Sequence, residues 1–146
     1  MKIAVSSCLL GHNVRFDGSN KRNDRIINML KNHEIIPICP EQYSGFSIPH
    51  DPLEIKDGKV YTINGIDVSD ILINGSNDLL NRITDCDFVI LKSKSPTCGY
   101  MKIYDGSFTD TLIDGNGIFA QMCVNKKIKI FTENDLDLLE EILLDK

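Results

Sequence analysis

The sequence predicts a single α/β domain over residues 1–146. Its architecture is Rossmann-like and doubly wound: a mostly parallel sheet of about four core strands flanked by helices, with a small β-hairpin beside it. Two observations carry this. Short apolar runs rich in β-branched residues alternate with segments of helical periodicity, the pattern of parallel strands joined by helical crossovers. Three of those runs also lead into a cysteine on a loop. They are Lys2-Ile3-Ala4-Val5-Ser6-Ser7-Cys8, Ile35-Ile36-Pro37-Ile38-Cys39-Pro40-Glu41, and Asp87-Phe88-Val89-Ile90-Leu91, which runs into Lys92-Ser93-Lys94-Ser95-Pro96-Thr97-Cys98-Gly99.

Residues 2–7 read as the first strand, followed by Cys8-Leu9-Leu10-Gly11 and a loop carrying Asn13, Arg15, Phe16, Asp17 and Gly18. Asn23 or Asp24 is suited to cap a helix over residues 25–31, with Ile26, Ile27, Met29 and Leu30 inward. The second strand is Glu34–Ile38, ending at Cys39-Pro40-Glu41. A long irregular loop follows through Gly45, Pro49, His50 and Pro52, and such loops in compact domains are usually functional. Asp57-Gly58 between residues 53–56 and 59–63 signals the hairpin. Residues 67–83 carry a helical stripe of Val68, Leu72, Leu79, Leu80 and Ile83, with Gly75 as its weak point. The third strand, Phe88–Leu91, runs out into the Cys98 loop, where Pro96 stiffens the backbone and Gly99 permits close approach or positive φ. After a Gly-rich turn at residues 114–117, residues 118–126 read as a helix packing Ile118, Phe119 and Met122. Residues 129–131 form a fourth strand. Thr132 and Asp135 make a variant capping box for a last helix with Leu136, Leu139, Ile142 and Leu143 on its apolar face. Phe16-Asp17-Gly18 and Tyr104-Asp105-Gly106 echo each other over too short a span to be a repeat.

In a parallel sheet the carboxyl ends of the strands share one edge, and ligands bind beyond it. Cys8, Cys39 and Cys98 fall on that edge. Cys86 falls on the opposite edge and Cys123 inside a helix. A formal net charge of −5 argues against sequence-independent binding of a nucleic-acid duplex. No apolar run is long enough to span a bilayer. The amino terminus enters strand-like sequence without a cleavage pattern, which reads as a cytoplasmic protein with no membrane partner. Five cysteines in such a compartment are not a disulfide framework.

One cysteine alone is read as a small buried hydrophobe; three at matching positions point further. Three thiolates can hold zinc, with His12 or His50 as a fourth ligand, or an iron–sulfur cluster with one iron open. There is no Cys-x-x-Cys pair, so neither a zinc ribbon nor a ferredoxin-type run is present. Lys92, Lys94 and Arg15 would offset the negative charge of a thiolate-bound cluster. A cysteine-nucleophile enzyme is a further alternative, but no histidine sits in an obvious partnering motif.

The motifs Cys8-Leu9-Leu10-Gly11, Arg15-Phe16-Asp17-Gly18, Cys39-Pro40-Glu41 and Ser95-Pro96-Thr97-Cys98-Gly99 resemble those of a compact bacterial family long classed as a domain of unknown function, which includes the thiouracil desulfidases. Ile103-Tyr104-Asp105-Gly106-Ser107-Phe108 and Gly115-Asn116-Gly117-Ile118 match in the same order, so the likeness covers nearly the whole chain. The resemblance implies a [4Fe–4S] cluster on Cys8, Cys39 and Cys98, with Glu41 and Ser95 as acid/base helpers. Phe16 stands where the family often has Tyr, Thr97 where it often has Ser, and Pro49-His50 where a Pro-Arg pair is common.

The expected function is hydrolytic desulfuration of a small-molecule thiolated pyrimidine or related thio-metabolite, thiouracil giving uracil and sulfide. The open iron would serve as a Lewis acid for the soft sulfur. The alternative is a non-enzymatic iron–sulfur binding or sensing module, which would need the three cysteines but not the carboxylate.

Overall fold

A computed structural model describes residues 1–144 of the chain. Its centre is a four-stranded, all-parallel sheet of β1 (Lys2–Ser6), β2 (Glu34–Ile38), β5 (Phe88–Leu91) and β8 (Ile130–Thr132), in the spatial order β2-β1-β5-β8. Ile3 lies opposite Phe88, Ala4 opposite Val89 and Val5 opposite Ile90. Alternate side chains of a strand leave opposite faces of the sheet. Ile3, Val5, Phe88 and Ile90 therefore join one core layer with Ile26, Leu30, Leu139 and Leu143. Ala4, Val89 and Leu91 join the other with Leu79, Leu80, Ile83, Phe119 and Ala120. Both faces are covered by helices, which explains why the strands read as continuous apolar runs.

The helices segregate by face. α1 (Asp24–Met29) and α5 (Leu136–Leu144) cover one side, while α3 (Ser69–Arg82) and α4 (Ile118–Asn125) cover the other. The chain passes from β1 outward to β2, then returns past β1 to β5. The strand order thus reverses between β1 and β5, the position where doubly wound sheets open a ligand crevice. Asn23 caps α1, its side chain accepting the Ile26 N–H at 3.1 Å. The Thr132–Asp135 box also forms. The Thr132 N–H donates to Asp135 Oδ2 at 2.9 Å, and Thr132 Oγ1 accepts the Asn134 N–H at 3.1 Å.

Several expectations are corrected. β1 stops at Ser6 because Ser7–Leu10 turns into a 3₁₀ helix ended by Gly11 at φ 95°. The loop after Cys39 opens with a short helix, α2 (Pro40–Tyr43), for which Pro40 is well suited at the first helical position. The hairpin β3 (Leu53–Lys56) and β4 (Lys59–Thr62) is one residue shorter than expected, since Ile63 leaves the ladder. α3 begins at Ser69, because the Asp67 carboxylate accepts the Ser69 N–H and Asp67 bridges back to Tyr61. α1 and α4 end earlier than expected, and β8 is shifted one residue onward. A second hairpin, β6 (Lys102–Tyr104) with β7 (Leu112–Asp114), was not expected. Its strands are three residues each, and a seven-residue loop separates them, so no two-residue turn announces it.

Gly75 is not a weak point but a contact point. A Cβ built there would lie 2.8 Å from Ser44 Cα, so α3 meets the end of α2 backbone to side chain. Ser44 in turn donates to the Pro40 carbonyl at 2.7 Å. Gly75→Ala should therefore push α2 away and lower stability by about 1–3 kcal/mol, the usual cost of overpacking. Asn74→Ala, one position along on an exposed site, should stay within about 0.5 kcal/mol of the parent. Thermal denaturation of the two variants side by side checks this.

Candidate functional site

At the carboxyl edge of the sheet lies a cavity of about 550 Å³, in the size range of small-molecule sites. Its wall includes all three strand-end cysteines, Cys8 after β1, Cys39 after β2 and Cys98 after β5. The other two lie elsewhere, as expected. Cys86 is half-buried before β5, and Cys123 is fully buried within α4, its thiol pushed up to about 12 by desolvation.

The Cys98 loop is built from backbone outward. The first N–H groups of any helix lack intrahelical partners. In α4 they are taken by this loop: Ile118 N–H donates to the Pro96 carbonyl at 2.9 Å and Ala120 N–H to the Thr97 carbonyl at 3.0 Å. Gly117 N–H donates to the Gly99 carbonyl at 2.7 Å. Such an approach leaves no room for a side chain, and a Cβ on Gly117 would sit 2.6 Å from the Thr97 carbonyl. Gly99 serves the same close approach, against Ser95, and does not need positive φ.

Ser95 lines the cavity, but its hydroxyl has a prior commitment. Ser95 Oγ accepts the N–H of Thr97 at 3.1 Å and of Cys98 at 3.0 Å. A hydroxyl has two acceptor sites and one proton. With both acceptor sites used, the proton goes to Thr97 Oγ1, 3.0 Å away. The Thr97 proton is then free to point at Cys98 Sγ, at 3.9 Å. Ser95 and Thr97 thus hold the backbone and the sulfur of Cys98 together.

Burial raises the proton affinity of all three thiols. For Cys8 desolvation outweighs the lowering effect of Lys92 and Arg15. Cys39 is pushed up to about 11, again mainly by desolvation. Cys98 is raised well above the ordinary thiol value, desolvation outweighing the Ser6 hydroxyl. Thiols this reluctant to ionise are poor nucleophiles. They can release their protons to a metal centre, which supplies the positive charge that stabilises a thiolate. The expected cations are in place, with Arg15, Lys92 and Lys94 all on the cavity wall. Lys92 is held there by Glu133, 2.8 Å away, whose carboxylate also accepts the Ser93 N–H at 2.9 Å. Burial opposes ionisation of Glu133, yet Lys92 and the Ser93 amide keep its carboxyl below the usual range.

Among the described residues, no three His, Cys, Asp or Glu side chains are grouped as ligands of one metal ion. His12 and His50 do not join the thiols on the wall.

Glu41, in the first turn of α2, also lines the cavity. Its side chain is 14% exposed, and His50 Nε2 lies 3.7 Å from Glu41 Oε2. The aromatic part of the wall comes from Phe16, Tyr104 and Phe108. Here the short sequence echo acquires a physical meaning. Asp17 accepts the Ser19 N–H at 3.0 Å and Asp105 the Ser107 N–H at 2.9 Å, so each Asp-Gly-Ser folds into the same side-chain-closed turn. Gly18 and Gly106 occupy the left-handed region, at φ 78° and 93°. The second turn is clamped from below by Glu54, a buried carboxylate accepting the N–H of Gly106 at 3.0 Å and of Phe108 at 3.2 Å. Sequence reasoning missed Glu54 because an alternating acidic residue in a hairpin strand reads as solvent-facing.

The 2-thiouracil desulfurase family model matches residues 3–135 of the chain. The Bacillus subtilis (strain 168) protein described as uncharacterized protein YbbK is 33% identical over 147 residues, spanning 92% of this chain and 97% of its own length. A solved structure described as the [4Fe–4S]-dependent thiouracil desulfidase TudS shares the fold with a TM-score of 0.90 and 31% identity, over 99% of both chains. With the family model matching almost end to end and the fold shared over the same length, the chain belongs to the 2-thiouracil desulfurase family.

Proposed function

We propose that this protein is a [4Fe–4S]-dependent desulfidase of thiolated pyrimidines, converting a thiocarbonyl and water to a carbonyl and hydrogen sulfide. The observation that carries the reading is the convergence of Cys8, Cys39 and Cys98 with Glu41 on one cavity at the strand-order reversal. The three thiolates would hold the cluster. When bound, it would supply an iron free of protein ligands, a soft Lewis acid matched to sulfur.

The remaining work falls to the chain itself. Phe16, Tyr104 and Phe108 offer flat apolar surface for a planar ring. Glu41 orients the attacking water and takes its proton on a carboxylate oxygen. Ser95 is assigned here as the residue that holds Cys98 in place, with its proton on Thr97. Arg15, Lys92 and Lys94 offset the negative charge of three thiolates. No electron enters or leaves in this reaction.

Two expected outcomes test the reading. Protein reconstituted without oxygen should carry about four iron and four sulfide per chain, the content of one such cluster. Cys8→Ser, Cys39→Ser and Cys98→Ser should each lose it, while Cys86→Ser and Cys123→Ser should keep it. Stoichiometric zinc without labile sulfide would overturn the cluster assignment. Glu41→Gln should then keep the cluster and its visible absorbance but release sulfide from 2-thiouracil or 4-thiouracil roughly 100- to 10,000-fold more slowly, the usual weight of a general base. Cluster-loaded parent protein that turns over no thiolated base, nucleoside or nucleotide would favour the non-enzymatic module.

A further inference from the structure

The loop after α2 holds a histidine that does not line the cavity, yet its backbone N–H and its ring Nδ1 are both held. His50 N–H donates to the Phe16 carbonyl at 2.7 Å, which anchors its backbone to the loop that carries Arg15 and Phe16. Its Nδ1 lies 2.7 Å from the Asp51 carbonyl. A carbonyl only accepts, so Nδ1 carries the hydrogen of that bond. The ring is wedged between Phe16 and Phe46, with centroid separations of 6.4 and 5.3 Å. Rotation of the imidazole would break the Asp51 bond and bury a polar nitrogen against these rings.

Nε2 is thereby aimed in one direction. It is buried and has no partner within hydrogen-bond distance; Glu41 Oε2, at 3.7 Å, is its ion-pair neighbour. The relation is mutual. Among the described residues, the Glu41 carboxylate has no other side-chain ion-pair partner. Both side chains are largely shielded, at 9% and 14% exposure, so the attraction between the carboxylate and the protonated ring, the form that carries hydrogen on both nitrogens and that Glu41 favours, is little screened by solvent. One carboxylate oxygen turned to His50 leaves the other for the cavity.

We propose that His50 is a positioning residue for Glu41, drawing Oε2 toward Nε2 and so directing Oε1 at the water that attacks the thiocarbonyl carbon. This rests on the reading of Glu41 given above. Partners behind a reacting group commonly matter by 10–100-fold when removed, because they set its direction without touching substrate.

The experiment separates orientation from packing. His50→Phe keeps an aromatic ring between Phe16 and Phe46 and removes Nε2. It should lower kcat about 10- to 100-fold, leave KM within about 2-fold and leave iron and sulfide content unchanged. His50→Gln, which returns an N–H donor toward Glu41, should recover most of the loss. If His50→Phe does not fold, His50→Asn, too short to reach Glu41, takes its place. A second readout needs no cluster and no turnover. Melting temperatures of cluster-free parent, His50→Phe, Glu41→Gln and the double variant should be non-additive, because the two side chains contact each other. Additive melting shifts, or unchanged kcat in His50→Phe beside an inactive Glu41→Gln, overturn the proposal while leaving the desulfidase reading intact. Full turnover by Glu41→Gln overturns the reading of Glu41 and the proposal with it, and the melting cycle still reports whether the contact exists.

Discussion

The site depends on three hydrogen bonds between the start of one helix and the loop after one strand. Ile118, Ala120 and Gly117 give their N–H groups to the carbonyls of Pro96, Thr97 and Gly99. A helix must satisfy its first N–H groups somewhere, and a loop leaving a buried strand must satisfy its carbonyls. Here each need meets the other. The Cys98 loop is consequently fastened to α4, and α4 is packed on the sheet through Phe119 and Ala120. Cys98 is thus held by the core itself rather than by a free-standing loop.

The other two thiols are fastened by different means. Cys8 follows β1 directly and sits in the 3₁₀ turn whose Leu9 belongs to the same core layer as Ile3 and Val5. Cys39 follows β2 at the start of α2, and α2 is pressed against α3 at the Ser44–Gly75 contact. Three adjacent strands, β2-β1-β5, therefore lead into one thiol each at the same edge of the sheet. The burial that holds them also raises their proton affinity as free thiols. A thiolate-bound metal group relieves that same penalty, and nearby Arg15 and Lys92 work in the same direction at Cys8.

Polar residues around the cavity are largely occupied in holding one another. Ser95 spends its hydroxyl on the Cys98 backbone, Glu133 holds Lys92, and Glu54 holds the turn that presents Phe108. Glu41, on the same wall, has a histidine behind it and an oxygen still available to a ligand. A rigid surround places a proton acceptor without letting it wander.

The sequence by itself determined the layered α/β architecture and the sorting of the five cysteines, because both follow from local patterns. Ile3 to Val5 and Phe88 to Leu91 are buried on both faces, so they read as apolar runs in any context. The carboxyl ends of parallel strands share an edge whatever the loops do. Caps at Asn23 and Thr132 were legible for the same reason, since they act within three residues. The tertiary structure alone decided what crosses long distances. The β6–β7 hairpin exists because Glu54, some fifty residues earlier, accepts the N–H groups of its loop. Gly75 is a glycine because Ser44 lies against it. His50 lies beside Glu41, and nothing local in the sequence announces it. Periodicity records which side of an element faces the core; it carries no record of which polar atom will be waiting there.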